Sequence, residues 1–105
     1  MAEKTLNDKT VEVTDEGYLT DHARWDKEMA PELAKSVGID SLTDDHWKVI
    51  TFLQNEYKAN GAVPTLRAIG KKSGVGMKDI YQLFPDGPVK KAALIAGLPK
   101  PESCV

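Results

Sequence analysis

The chain has 105 residues, of which 41% are hydrophobic and 29% charged, and its net charge is −2. That fits one small globular domain with a thin core. No apolar run approaches the roughly 20 residues that span a bilayer, and the opening MAEKTLNDKT lacks a signal peptide's apolar stretch, so a cytoplasmic protein without membrane contact is expected.

Residues 4–19 read as a hairpin. Asn7-Asp8 is a turn signal, Thr10-Val11-Glu12-Val13 alternates as a half-buried strand does, and Asp15-Glu16-Gly17 is the exit turn. The rest reads helical. Trp25, Met29, Leu33 and Val37 recur at four-residue spacing and predict one helix face, stopped by Gly38. Thr43 is an N-cap for a second helix that carries Trp47, Ile50, Leu53 and Tyr57 and ends at Asn60-Gly61. Pro64-Thr65 opens a third, Met77–Phe84 forms a fourth, and Val89–Ala96 a fifth capped by Gly97. The predicted fold is mainly α: a small orthogonal bundle of about five helices with an N-terminal β-hairpin, a helix-turn-helix-like segment and a flexible C-terminal arm. The body spans residues 1–97 and the arm 98–105.

The arm reads Leu98-Pro99-Lys100-Pro101-Glu102-Ser103-Cys104-Val105. Its two prolines predict an extended, solvated segment. Cys104 is the only cysteine, so an internal disulfide is excluded. A thiol next to a chain end is rarely a core residue. It is either an accidental exposed group or a nucleophile, which acts as the thiolate and needs access. Lys100 could lower its pKa; Glu102 and the terminal carboxylate raise it.

The charge is uneven. Residues 1–60 hold seven Lys/Arg against thirteen Asp/Glu, a balance of −6, and residues 61–105 hold seven against three, +4. Within 64–84, Arg67, Lys71, Lys72 and Lys78 could contact phosphates or an acidic partner. Two short packed helices with solvated lysines give the same pattern, and Lys78 and Gln82 are the only obvious groups for base edges. His22 and His46 sit at helix starts beside aspartates and read as solvated cap-region residues. With no Cys/His cluster and no phosphate-cradling glycine loop, no metal and no cofactor are expected.

Several stretches together resemble the DsrC/TusE/DsvC family of small sulfur-carrier proteins. They are DEGYL (15–19), the HW of LTDDHW (42–47), FL with Tyr57 (52–57), P-x-x-R (64–67), IYQLFPDGP (80–88) and IAGLPKPESCV (95–105). The resemblance implies packed helices, an N-terminal hairpin and a mobile C-terminal arm, with Gly97, Leu98, Pro99, Lys100 and Pro101 as arm and candidate docking residues. It also implies that Cys104 accepts sulfur as a persulfide, or forms a trisulfide, and passes sulfur from a donor protein to an acceptor protein in tRNA thiolation or sulfur metabolism; a monomer is expected. Three features depart from the family pattern. Ala93 stands where sulfite-reductase-associated members carry a second cysteine, which makes an intramolecular bridge impossible. The segment 74–77 lacks a longer, lysine-rich loop. Ser103 replaces a common glycine. The rival expectation is a regulatory DNA-binding protein that uses residues 64–84.

Overall fold

The computed structural model describes residues 2–6 and 8–100. Pro101 and Cys104 lie outside the described residues. The chain begins with an antiparallel ribbon, β1 (Ala2–Leu6) and β2 (Lys9–Val13), paired from Ala2 opposite Val13 to Leu6 opposite Lys9. Alternation puts Val11 and Val13 on the face that Leu6 shares, and all three are buried. The Asp15-Glu16-Gly17 turn then folds the chain back. Thr14 donates its N–H to the Tyr18 carbonyl (2.8 Å), and an isolated bridge joins Val13 and Leu19.

Five helices follow among the described residues: α1 (Met29–Ser36), α2 (Asp44–Asn60), α3 (Leu66–Lys72), α4 (Met77–Leu83) and α5 (Pro88–Ile95). The boundaries follow local chemistry. At α2 the Thr43 side chain accepts from the His46 N–H, while the Thr43 N–H donates back to His46 Nδ1 (3.0 Å). Gly61, with φ 73°, closes α2 in the left-handed conformation. Thr65 caps α3, and Pro88 occupies the first turn of α5, where a missing N–H costs nothing.

The first helix is shorter than its apolar spacing suggests. Trp25 lies outside it, in extended backbone after a single 3₁₀ turn at His22–Arg24, and Val37 is its C-cap. Two aspartates set this. The Asp21 carboxylate accepts from the Ala23 N–H (3.0 Å), and the Asp26 carboxylate accepts from the N–H groups of Glu28 (3.0 Å) and Met29 (3.2 Å). Side-chain bonds of this kind hold the backbone out of a helix until the second aspartate launches one.

The core is built around α5. Val89, Ala92, Ala93, Ile95 and Ala96 are wholly buried, and the helix touches α1, α2 and α4. Its small alanines let these neighbours approach. Met29, Leu33, Ile50, Leu53, Ile80 and Phe84 fill the space between. At roughly 1.5–3 kcal/mol for each fully buried large side chain, these residues dominate the stability.

Candidate functional site at the root of the C-terminal arm

A helix leaves its last four carbonyls without intrahelical donors. At the end of α5 every one of these, and the two that follow, is accounted for. The Ala96 N–H donates to Ala92 O (2.9 Å), the Leu98 N–H to Ala93 O (3.0 Å) and the Gly97 N–H to Leu94 O (3.2 Å). The last two bonds form a Schellman motif around Gly97, whose φ is 75°. Three side chains from elsewhere take the remaining carbonyls. Trp25 Nε1–H donates to Ile95 O (2.8 Å), Gln54 Nε2–H to Ala96 O (3.0 Å) and His22 Nδ1 to Gly97 O (3.1 Å). A carbonyl only accepts, so the proton of His22 is placed on Nδ1 by its partner. The ring of His22 also meets Tyr57 edge-on, with centroids 5.9 Å apart.

Gly97 is fixed sterically as well. A Cβ there would sit 2.5 Å from Cγ and 2.7 Å from Cβ of Trp25, and closer still to Cδ1. Leu98 departs from the expectation of a solvated arm: it is fully buried. It is the apolar residue that a Schellman motif turns back onto its own helix. The body therefore runs through Leu98, and exposed chain begins at Pro99. Lys100 Nζ then lies 3.0 Å from both carboxylate oxygens of Glu16 in the exit turn of the ribbon. Both partners are about half exposed, so this pair contributes only about 0–1 kcal/mol. Beside it, Tyr18 donates its hydroxyl to Lys90 O (3.3 Å), and burial, with Glu16 adding to it, holds that phenol above its ordinary pKa.

Covalent geometry limits what can happen beyond the root. Five residues separate Leu98 from Cys104, so covalent reach keeps the thiol within about 20 Å of a fixed point. Ala93 is buried in α5, and its carbonyl is held by Leu98.

The other sequence-nominated residues stand elsewhere. Arg67, Lys71 and Lys72 are exposed on α3 and Lys78 is exposed on α4, two seven-residue helices joined by residues 73–76. His46 is not solvated: it is 6% exposed, and its Nε2–H donates to Leu83 O (2.9 Å). It also packs edge-on against Phe84 at 5.1 Å. Thr43 N–H on one ring nitrogen and a carbonyl on the other fix a single neutral tautomer and tie α2 to α4. Among the described residues no three His, Cys, Asp or Glu side chains could hold a metal, and no helix is long and apolar enough to cross a membrane. The capping residues His22, Trp25 and Gln54 have no local signature. Their partners are 75, 70 and 42 positions away.

The fold and this anchored root define a small helical protein with an amino-terminal β-ribbon, whose one thiol lies beyond a side-chain-locked chain end. The chain belongs to the DsrC-like protein family, whose model matches residues 5–105. It is 44% identical over 105 residues, covering 100% of both chains, to the protein of Nitratidesulfovibrio vulgaris named "Sulfite reductase, dissimilatory-type subunit gamma". It is 38% identical over 105 residues to the "Sulfurtransferase TusE" of Pectobacterium atrosepticum, covering 92% of this chain and 94% of that one. The crystal structure of the oxidized gamma-subunit of the dissimilatory sulfite reductase (DsrC) from Archaeoglobus fulgidus matches with a TM-score of 0.82 and 36% identity, over 99% of this chain and 100% of that one.

Proposed function

We propose that this protein is a sulfur-relay carrier, loaded and unloaded at Cys104 by partner proteins. The observation that carries the reading is the pairing of a lone thiol near the chain end with a root locked at three successive carbonyls. A locked root keeps the ordering cost small when the last residues enter a partner, because only the residues after Leu98 must be immobilised. Relatives named as a sulfurtransferase and as a sulfite reductase subunit support the same reading.

The transfer step balances without an added oxidant. The Cys104 thiolate attacks the outer sulfur of a donor persulfide. The donor's S–S bond breaks, the donor leaves as a thiolate, and the transferred sulfur keeps its proton as Cys104–S–SH. Delivery is the same step with Cys104 as the leaving thiolate. Because the chain holds one cysteine, the sulfur goes on to a partner and not to a second cysteine of its own. A reducing cytoplasm keeps such a lone thiol from pairing between copies, and the carrier works as a monomer. The absence of a second thiol, with Ala93 in the buried helix, favours relay of the kind used in thiolation over a sulfite-reductase co-substrate role.

Incubation with a persulfide donor followed by mass spectrometry tests this. Wild type gains the mass of one sulfur atom, and Cys104→Ser gains none. Equal loading of both refutes the proposal.

A second reading, DNA binding through residues 64–84, rests on the exposed Arg67, Lys71, Lys72 and Lys78. It requires a salt-sensitive shift of duplex DNA. No shift at low salt eliminates it.

A further inference from the structure

The face of α2 that leads to the arm root also carries a groove of about 740 Å³. Its apolar walls are Trp47 and Phe52, both only partly buried against the core. Its charged lining is Lys27 from the loop before α1, Lys48 from α2 and Lys72 from the end of α3, against the single carboxylate of Asp44. Lys48 also lies 3.6 Å from Asp45, an exposed pair one turn apart that holds it only weakly. The molecule as a whole carries −2, so the groove has the opposite sign to the chain that forms it.

Its position matters as much as its charge. Trp47 and Gln54 are seven residues apart on α2, two turns, so they share a face about 10 Å apart along the axis. Gln54 is the residue that holds Ala96 O, and with Lys58 it lines a second hollow of about 300 Å³ next to His22 and Trp25. The Trp47 wall of the groove and the residue that holds the arm root thus lie on one side of α2.

We infer that this groove is the docking site for an acidic protein segment carrying one apolar anchor residue, supplied by the partner that receives or delivers the sulfur. The inference rests on the relay reading for why a partner comes, but the groove is argued from its own charge and shape. The apolar anchor enters between Trp47 and Phe52, and its flanking carboxylates meet Lys27, Lys48 and Lys72. Docking at the Trp47 wall places the segment about 10 Å along the α2 axis from Gln54, within the roughly 20 Å that the residues after Leu98 can span. A single-stranded nucleic acid fits the groove less well. Lys27 Nζ lies over the Trp47 ring at 5.4 Å, where it competes with a stacking base.

The test is a titration of ¹⁵N-labelled full-length protein with a short Glu-rich synthetic peptide that has one central Leu. The expected result is saturable shifts at the Trp47 indole N–H and at the amides of Lys27, Lys48, Phe52 and Lys72, weakening as salt is added. The Lys48→Glu/Lys72→Glu variant should lose at least tenfold in affinity with an unchanged thermal transition, and Lys48→Gln/Lys72→Gln should lose less. Replacing the central Leu by Ser should also weaken binding. The inference is overturned by an absence of saturable shifts, by shifts centred on residues 67–82, by undiminished binding of the Lys48→Glu/Lys72→Glu variant, or by an oligothymidylate that binds the groove as well as the peptide does. Cys104→Ser should bind the peptide as wild type does, and the lysine variants should still load sulfur from a small persulfide. Failure of docking is therefore read separately from failure of the relay chemistry.

Discussion

Replacing Gly97 by alanine tests whether the arm root is as rigidly specified as its geometry states. Two independent costs apply. The backbone holds φ at 75° there, a conformation that costs a residue with a Cβ roughly 1–2 kcal/mol. The new methyl would lie 2.5 Å from Cγ of Trp25, far inside contact distance, and overpacking of this kind costs about 1–3 kcal/mol. Swinging the indole out relieves only the contacts with Cγ and Cδ1, leaves the one with Cβ, and gives up the bond to Ile95 O, worth about 1 kcal/mol. These costs overlap, so a loss of about 3 kcal/mol is expected, a large share of the 5–15 kcal/mol typical of a small domain. With a urea slope near 2 kcal/mol per molar, the unfolding midpoint falls by about 1.5 M. The steric share is separable. In a Trp25→Gly background, which removes every clashing atom, Gly97→Ala should cost only its backbone share, roughly 1–2 kcal/mol. The reasoning fails if Gly97→Ala shifts stability by less than about 0.5 kcal/mol, or if it costs the same with and without Trp25.

Other perturbations follow from the same bonds. His46→Ala leaves the partly buried Leu83 carbonyl without its donor and removes the edge contact to Phe84, so urea unfolding should show a loss of about 1–3 kcal/mol. Gln54→Leu leaves only Ala96 O without its side-chain donor and should cost about 1 kcal/mol by the same assay, with sulfur loading of Cys104 from a small persulfide unchanged. The Asp26 carboxyl is held below its ordinary pKa, chiefly by the hydrogen bond from Lys9 Nζ at 2.8 Å. A lowered folded-state pKa contributes stability above the unfolded value, near 4, and that stability is lost as pH falls through the folded value. Urea midpoints at pH 6 and pH 3 should therefore differ more for wild type than for Asp26→Asn, and an equal drop in both would contradict the assignment.

Much of the fold was legible because its signals are local. Thr43 as a cap, Gly61 as a stop, the alternation of Thr10 to Val13 and the Gly97 cap each act within a few residues, and each stands where the sequence placed it. The run from Trp25 to Val37 misled because apolar spacing says nothing about Asp21 and Asp26, whose carboxylates divert the backbone. Leu98 read as solvated because of its proline neighbours, yet its place after the left-handed glycine turns it into the core. The root of the arm was least legible. Cys104 and Gly97 stand out by type and position, whereas His22, Trp25 and Gln54 gain their roles only when distant segments meet at the end of α5. The histidines show the same limit, since His46 finds Leu83 across 37 positions.

The helix that leads into the working end of this protein is also the axis of its core. Ala92, Ala93 and Ala96 have no free surface, and Gly97 tolerates no side chain. Natural variation therefore has almost no room between Ala92 and Leu98. It has room on the short stretch after that residue, on the exposed face of α2, and in the partners themselves. The tip can change while the mount stays constant, so a change of partner would not have to pass through an unstable fold.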